Sequence, residues 1–223
     1  MGNTDTKNRR TVGEFLWELF EKVDGPIQIV SGYIPFTYQR TVRQTIEDGS
    51  VLDLGCGKGW AWRYFANRKK HNSFLSVGAD MSLPYLSYCR ENKLYGNLVQ
   101  CNAESLPFQP KSFDTVLVLQ LIEHLTRENG LKLIADAEKI ARKKVILATP
   151  VGFLKYDFHL SGWEPEELEK LGYTVTGHGI RLPIPKGKLT LPFSQVSRFS
   201  CLFPFTYKSP RHAYQMVAIK RLS

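Results

Sequence analysis

A glycine-rich turn, Asp53-Leu-Gly-Cys-Gly-Lys-Gly59, constrains the fold of this chain more than any other segment. It follows the short apolar run 51–55 and precedes residues 60–67, which are predicted to form a helix. Glycine lets the backbone turn sharply and lets a ligand approach without a Cβ atom in the way. The order of strand, glycine turn and helix therefore predicts a ligand-binding loop at the carboxyl end of a strand.

The spacing of the glycines narrows the kind of loop. Gly55, Gly57 and Gly59 form the pattern G-x-G-x-G, whereas the dinucleotide fingerprint is G-x-G-x-x-G. The chain also lacks G-x-x-x-x-G-K-[ST], so the phosphate-cradling P-loop is excluded on pattern. Taken alone, the turn is compatible with a purely structural role.

Short apolar strands and helical segments alternate along the rest of the chain. The predicted strands are 51–55, 74–80, 98–102, 114–120, 144–149, 173–176 and 215–220, and the predicted helices are 41–47, 60–67, 83–92, 131–141 and 165–171. Such alternation implies a doubly wound α/β fold, with a mainly parallel sheet covered by helices on both faces.

Polar residues follow the strands next to the turn. Asp80 ends the second strand, where an acid can accept hydrogen bonds from both hydroxyls of a ribose. The segment Asn102-Ala-Glu104 follows the third strand. Ligands of doubly wound sheets bind at the carboxyl ends of the strands, so three strand ends are expected to converge on one crevice.

The chain divides into a lead-in, 1–47, and a main domain, 48–223. The lead-in contains a predicted amphipathic helix at 11–23, with a capping box formed by Thr11 and Glu14. Residues 180–213 contain five prolines and many phenylalanine and leucine side chains. Because a structureless connection of this length is unusual in a compact domain, we interpret 180–213 as a lid inserted between the last two strands.

The positive charge is concentrated at the end of the chain. From Lys170 onward there are nine lysines and arginines and no aspartate or glutamate, which accounts for the whole net charge of +9. Such a region can meet a phosphate, an acidic substrate or an anionic surface, or remain a solvated rim. No apolar run approaches the length of a membrane helix, and the N-terminus does not resemble a signal peptide. A cytoplasmic protein is therefore expected.

The cysteines predict neither a disulfide framework nor a metal ribbon. Cys56, Cys89, Cys101 and Cys201 show no C-x-x-C spacing, so they are expected to be reduced and buried. No metal site is predicted from the sequence.

Four segments, taken in order, resemble the motifs of class I S-adenosylmethionine-dependent methyltransferases. They are Asp53-x-Gly-x-Gly-x-Gly59, Gly78-Ala-Asp80, Asn102-Ala-Glu-Ser-Leu-Pro-Phe108 and Phe113-Asp-Thr-Val-Leu-Val-Leu-Gln-Leu-Ile-Glu-His-Leu125. The likeness covers roughly residues 48–150 and is greatest to the type 11 group, which includes the ubiquinone- and menaquinone-pathway enzymes. It implies a Rossmann-like sheet of seven strands with the last strand antiparallel, S-adenosylmethionine as cofactor and S-adenosylhomocysteine as product.

The same resemblance assigns roles to individual residues. Gly55, Gly57 and Gly59 would line the methionine part of the cofactor, with Asp53 supporting the turn. The remaining cofactor-binding residues are expected in three places: Asp80 at the ribose with Met81 against the adenine, Asn102, Ala103 and Glu104 bordering the adenine, and Gln120 and Leu121 under the sulfonium.

Methyl transfer is an in-line displacement, so the protein mainly holds the nucleophile and the methyl group at near-attack distance. A hydroxyl nucleophile benefits from a general base, and histidine is the usual one near neutral pH. His124 follows the fourth strand and His159 lies in the loop after the fifth, so both are candidate bases; His178 is a weaker candidate. Each histidine is also compatible with a purely structural role.

The acceptor is predicted to be a small, partly apolar molecule, because the 180–213 segment is rich in phenylalanine and leucine and pockets are largely apolar. Transfer to oxygen is favoured over nitrogen or carbon, and the oligomeric state stays open. The alternative acceptor is RNA, which the basic and aromatic residues of the C-terminal quarter would bind. A third possibility is a cofactor-binding scaffold without catalytic activity.

Overall fold

A computed structural model describes residues 37–47, 49–59, 62, 75–154, 158–179 and 204–222. These residues contain seven strands, which form one sheet. The strands are β1 (Val51–Leu54), β2 (Ser76–Asp80), β3 (Asn97–Gln100), β4 (Phe113–Leu119), β5 (Ala141–Pro150), β6 (Thr174–His178) and β7 (Gln215–Arg221).

Helices connect the strands within the described ranges. They are α1 (Tyr38–Thr45), α2 (Leu83–Glu91), α3 (Arg127–Ile140), α4 (Pro165–Lys170) and α5 (Pro204–Lys208), with 3-10 turns at Ile122–His124 and Pro210–His212. No helix among these residues is long and apolar enough to cross a membrane.

The strand order is β3-β2-β1-β4-β5-β7-β6, so the sheet reverses its direction of growth at β1 and β4. The neighbouring pairs from β3 to β5 run parallel, whereas β7 runs antiparallel to both β5 and β6. The predicted seven-stranded, mostly parallel sheet with an antiparallel last strand is therefore confirmed. The carboxyl ends of β1 and β4 adjoin at the topological switch, where doubly wound folds bind ligands.

Side chains alternate along the strands between two hydrophobic cores, one on each face of the sheet. One core joins the strand residues Leu52 and Val116 to Leu133 and Ala137 of α3. The other joins Val51, Leu117 and Ile146 to residues of and just after α1, together with Trp62. Because both faces are covered, the central strands are mostly apolar, as expected for a parallel sheet, with polar exceptions such as Asp53 in β1.

The predicted elements and the observed ones differ mainly at their ends. Helix α3 begins at Arg127, four residues before the predicted start, because the Thr126 side chain accepts a hydrogen bond from the backbone N–H of Asn129 (3.3 Å) and caps the helix there. Strand β5 begins at Ala141 rather than at 144, directly after α3. The spacing of apolar residues in the sequence predicts neither the start of α3 nor the start of β5.

Three predictions fall partly or wholly outside the described residues. The helix at 11–23 and most of the helix at 60–67 lie there. Of the 180–213 segment only 204–213 is described, and it contains α5 and the turn Pro210–His212 rather than an irregular chain. This part packs closely on β6, because a Cβ atom at Gly177 would lie 2.2 Å from the carbonyl oxygen of Thr206. The role of 180–213 as a lid stays a prediction.

Candidate functional site

The glycine turn follows β1 and is held by the end of β2. The backbone N–H groups of Gly55 and Cys56 both donate to the carbonyl oxygen of Ala79, at 2.8 and 3.0 Å. The three glycines, Gly55, Gly57 and Gly59, have φ angles of +69°, +52° and +70°. These lie in the left-handed region that favours glycine, so the turn depends on all three.

Two of these glycines face different surroundings. A Cβ atom at Gly55 would lie 2.8 Å from the Leu121 side chain, so this glycine permits close packing of the turn on the segment after β4. A Cβ atom at Gly57 would have no described atom within 4 Å. Backbone that is exposed in this way, with its N–H groups and no side chain, is a cradle into which a ligand fits.

Asp80 connects the end of β2 to the turn. Its two carboxylate oxygens accept backbone hydrogen bonds from Gly57 and Ser82, both at 2.8 Å. Each carboxylate oxygen has two lone-pair sites, so Asp80 keeps the capacity to accept hydrogen bonds from the hydroxyls of a ribose. The position at the strand end agrees with the predicted cofactor-binding role.

Asp53 lies under the turn rather than in the crevice. It is buried, and its carboxylate accepts a hydrogen bond from the hydroxyl of Tyr95 at 2.6 Å. Burial raises the pKa of Asp53 to about 7, against the lowering effect of the Tyr95 hydrogen bond and with a further increase from the charge of Asp80. Burial likewise raises the pKa of Tyr95.

Tyr95 is a supporting residue that the sequence analysis missed. Its ring stacks on Trp62 with centroids 5.4 Å apart and fills the space that a side chain at Gly78 would need. It lies 42 residues from Asp53, in a turn before β3 that carries no motif. The sequence contains one signal for such a residue: the glycines at 59 and 78 leave space that a bulky neighbouring side chain can fill.

The residues that the resemblance predicts to border the adenine lie after β2 and β3. Met81 is 71 % exposed, which leaves its side chain available to a planar ring. The Asn102 side chain accepts a hydrogen bond from the backbone N–H of Glu104 at 2.9 Å, which fixes the turn after β3. The Glu104 carboxylate accepts one from the Asn129 amide at 2.6 Å, so it is oriented toward α3. Ala103 between them packs partly against the core.

Gln120 and Leu121 follow β4 and border the turn. Gln120 has a φ of +53°, and its backbone N–H donates to the carbonyl oxygen of Ala148 at 2.7 Å. The Nε2 atom of Gln120 is buried and makes no hydrogen bond to any residue that the structure describes. A buried amide without a partner is costly, and a bound polar ligand supplies one. The open cradle at Gly57, the remaining acceptor capacity of Asp80 and this donor fit S-adenosylmethionine, which carries an amino acid group and a ribose.

His124, in the 3-10 turn after β4, and His159, in the loop after β5, lie next to each other. Their ring centroids are 5.1 Å apart, and His124 also stacks on Phe158 at 5.4 Å. The Nδ1 atom of His124 lies 3.0 Å from the carbonyl oxygen of Phe158. Burial, followed by the charge of His124, lowers the pKa of His159. His178 lies apart from both, buried on β6 and hydrogen-bonded to Thr176.

Glu123 lies beside the two histidines, and it is not among the site residues predicted from the sequence. Its side chain is 2 % exposed and accepts a hydrogen bond from the Thr149 hydroxyl at 3.1 Å. Burial raises the pKa of Glu123 to about 7. The backbone carbonyl of Glu123 accepts hydrogen bonds from Leu160 and Ser161, at 2.8 and 3.1 Å, and so fixes the loop that carries His159.

We call residues 151–163, the connection from β5 toward α4, the acceptor loop; 155–157 lie outside the described residues. Its base is closed by a hydrogen bond from the Gly152 N–H to the Trp163 carbonyl oxygen at 2.7 Å. At the same place a Cβ atom on Gly162 would lie 2.6 Å from the Phe153 backbone. Arg127 holds the loop from outside, lying 3.8 Å above the Trp163 ring. The loop is therefore anchored at both ends beside the β4 terminus.

Comparisons with known proteins agree with this architecture. The family described as "Methyltransferase domain" matches residues 51–144. A ubiquinone/menaquinone biosynthesis C-methyltransferase of Sinorhizobium fredii is 30% identical over 59% of this chain and 54% of its own length. A fatty-acid O-methyltransferase of Mycolicibacterium smegmatis is 34% identical over 36% of this chain and 30% of its own length. The matched part of the chain thus spans about a third to about half of these curated relatives.

The fold is shared with solved structures. The crystal structure of a SAM-dependent methyltransferase from Archaeoglobus fulgidus has a TM-score of 0.61 and 16% identity, and covers 93% of this chain and 100% of its own. Residues 51–144 of this chain are therefore similar to methyltransferase domains, and its sheet has the fold of a solved S-adenosylmethionine-dependent methyltransferase.

Proposed function

We propose that this chain, as a class I methyltransferase, transfers the methyl group of S-adenosylmethionine to a small, partly apolar acceptor, and that oxygen is the favoured receiving atom. The observation that carries this proposal is the pairing of two histidines with exposed apolar side chains on the acceptor loop. The relatives include both a C- and an O-methyltransferase, so the proposal of oxygen rests on the acceptor side of this chain.

The acceptor loop supports an apolar partner. Phe153, Phe158 and Leu160 are 53 %, 61 % and 61 % exposed, although each is large and apolar. Exposed apolar side chains that cluster on one loop mark a binding surface, whereas single ones are ordinary. Since Phe158 also stacks on His124, an acceptor held by this loop would lie beside the histidine pair.

The two sides of the crevice would share the reaction. On the cofactor side, Gly57 leaves space beside the backbone, the Asp80 carboxylate accepts hydrogen bonds and the Gln120 amide donates one to hold the cofactor. On the acceptor side, an oxygen lone pair attacks the methyl carbon, the carbon–sulfur bond breaks, and S-adenosylhomocysteine leaves as a neutral thioether. Holding these atoms in line is the main catalytic contribution.

A hydroxyl acceptor must lose its proton during the transfer. The Phe158 carbonyl oxygen can only accept, so the Nδ1 atom of His124 is the donor, which leaves the Nε2 lone pair of His124 to receive a proton. The lowered pKa of His159 keeps that side chain neutral near pH 7, as a base requires. Both histidines are therefore proposed to handle the proton of the acceptor.

The basic C-terminal quarter gives less support to RNA than its charge suggests. Three of its described basic side chains form ion pairs with acids that precede this quarter in the chain: Arg211 with Glu166, Lys220 with Glu138, and Arg221 with Glu47. A pair of this kind offers little net charge to a phosphate. The small-molecule acceptor is favoured for this reason.

Isothermal calorimetry with S-adenosylmethionine and with NAD tests the cofactor side. We expect binding of the first only, and a loss of at least about 30-fold in affinity in Asp80→Ala, because hydrogen bonds to charged groups contribute ~1.5–3 kcal/mol each. Asp136→Ala is the matched control, since Asp136 lies on α3 and pairs with Lys132 and Lys139. Equal affinities of the two variants would contradict the assignment.

The acceptor class is tested with cofactor that carries a labelled methyl group. Label is expected in a small-molecule extract, within its apolar fraction, and not in total RNA. Transfer to RNA alone would overturn the acceptor proposal and leave the enzyme assignment intact. Cofactor binding without transfer to either pool would support the scaffold instead.

A further inference from the structure

Glu123, His124 and His159 form a cluster that methyl transfer alone does not explain. Each offers one potential ligand atom, and the three atoms all lie within 4.8 Å of one another. Glu123 is buried and the two histidines are half-buried, so the cluster sits in a recess and not on the open surface. Two imidazoles and one carboxylate are the ligand set of catalytic zinc sites and of non-haem iron sites.

The distances suit a single ion after small side-chain movements. Metal–ligand bonds to imidazole and carboxylate are about 2.0–2.2 Å long, so ligand atoms around one ion lie at most about 4.4 Å apart. Because the present separations reach up to 4.8 Å, binding of one ion requires the side chains of His159 and Glu123 to rotate toward each other. The backbone itself is held by the hydrogen bonds from the acceptor loop to the Glu123 carbonyl.

Both histidines are oriented by backbone partners. His124 donates from Nδ1 to the Phe158 carbonyl oxygen at 3.0 Å, and His159 hydrogen-bonds to the backbone of Leu154. Histidines that bind metals almost always donate their other ring N–H in this way, which fixes the tautomer and aims the remaining nitrogen. For His124 the remaining nitrogen is Nε2.

Glu123 supplies the charge argument. Its carboxylate is almost fully buried, and the Thr149 hydroxyl is its neutral partner. No lysine or arginine of the described ranges forms an ion pair with it. Buried carboxylates are costly unless they are neutralised, paired or bound to a cation. A divalent ion would balance this charge where no basic side chain does.

We propose that Glu123, His124 and His159 bind one divalent transition-metal ion, and that this ion holds the oxygen of the methyl acceptor. Binding of the ion stands by itself, whereas its role rests on the proposed function. Three protein ligands leave an open coordination position, as in catalytic sites. An oxygen bound there loses its proton more readily, and that proton leaves to the solvent because a ligating nitrogen has no lone pair to take it. The carbon–sulfur bond then breaks as described above.

This differs from the sequence-based expectation of no metal site. Glu123 and His124 follow β4, whereas His159 follows β5. His159 lies 35 residues after His124, which is too far to form a recognisable metal-binding motif in the sequence. Under this inference the histidines act through the ion and not as free bases.

Binding is tested on chelator-treated full-length protein. Titration with Co²⁺, followed by its visible absorption, and with Zn²⁺, followed by calorimetry, is expected to show one equivalent bound. His159→Ala and Glu123→Gln should each weaken binding at least about 30-fold, with unfolding curves recorded to verify that both variants fold. His212→Ala, at an exposed histidine of the turn Pro210–His212, should bind as the wild type does. Absence of saturable binding, or equal binding by His159→Ala, overturns the site.

The role of the ion is tested separately on the same samples. Cofactor affinity and labelled methyl transfer are measured with and without metal. Transfer that falls at least about 30-fold without metal, at unchanged cofactor affinity, supports the role. Transfer at the same rate in metal-free protein overturns it while the proposed function stands. Saturable metal binding with no cofactor binding would instead refute the proposed function and keep the metal site.

Discussion

The two sides of the crevice are built from different materials. The cofactor side, made of the glycine turn 55–59, Asp80 and residues 102–104, is mainly backbone: positive φ angles, N–H groups and one carboxylate at a strand end. The acceptor side, made of Glu123, His124 and the acceptor loop, consists of side chains from two segments that meet across the end of β4.

This difference implies a division of labour that substitutions can test. Most residue types can adopt the same backbone conformation, with glycine and proline as the exceptions. We therefore expect the cofactor side to tolerate most substitutions except at the positive-φ glycines and Asp80. Side-chain chemistry is specific, so under the proposed function the acceptor side determines what is methylated. Substitutions on the cofactor side should change the affinity for S-adenosylmethionine, and those on the acceptor side should change turnover or the KM for the acceptor.

The largest effect is expected on the acceptor side. His124→Ala and His159→Ala should each lower kcat by roughly 10²- to 10⁴-fold, the usual contribution of general acid–base catalysis, because each removes either a base or a ligand of the proposed ion that replaces it. Cofactor affinity should stay within a factor of about two, because neither ring touches the glycine turn. Steady-state kinetics and calorimetry measure the two quantities, with His212→Ala as control. A parallel loss of cofactor affinity would break the division between the two sides.

Gly55→Ala is expected to have the next largest effect, on the cofactor side. The new Cβ atom would lie 2.8 Å from Leu121 at a φ of +69°. Strain of this kind costs on the order of 1–3 kcal/mol, which corresponds to a loss of about 5- to 150-fold in cofactor affinity if the turn distorts.

Gly172→Ala is the matched control for that substitution. Gly172 also has a positive φ, +88°, but a Cβ atom there would meet only the flexible end of Lys220 at 3.4 Å. It lies after α4, away from the crevice. We expect a lower melting temperature and unchanged cofactor affinity. If Gly55→Ala behaves in the same way, the turn does not shape the cofactor site.

The same contrast explains what the sequence could predict. The strands and the glycine turn follow from local periodicity and from residues that only a turn requires, so the sequence could place Asp80 and residues 102–104 at strand ends near the turn, while their contacts with the cofactor stay a prediction. The acceptor side was predicted as two unrelated histidines. Phe158 and His124 are 34 residues apart, and the contact between them depends on how the acceptor loop folds back. Glu123 was overlooked because a buried acid looks like any other acid in a sequence.

A pH effect on stability should arise from the cofactor side. The folded pKa of Asp53, about 7, lies above the unfolded value, so the folded state binds the proton more tightly. This stabilisation is complete below about pH 4 and is lost as the pH rises through about 7. Relative to Asp53→Asn, the wild type should therefore lose roughly 2–4 kcal/mol between about pH 4 and pH 8.

Urea unfolding of both proteins across this pH range measures the difference. Asparagine keeps an oxygen that can accept the Tyr95 hydroxyl hydrogen bond, so the comparison isolates the charge. Parallel stability profiles would show that Asp53 titrates alike in the folded and unfolded chain. That result would remove the support for a desolvated carboxylate under the turn.

The smallest predicted effect separates specificity from general packing. Phe158→Ala should raise the KM for the acceptor by about 5- to 10-fold, since a partly buried aromatic contact contributes ~1 kcal/mol or slightly more. Phe205→Ala is a closely matched control, because both side chains are 61 % exposed, but Phe205 lies on α5 beside His212. If the two variants raise the KM equally, the apolar side chains of the acceptor loop have no special part in binding. The acceptor would then have to bind elsewhere on the protein. The crevice would still have a cofactor side built from backbone, but its side-chain half would not be the acceptor site.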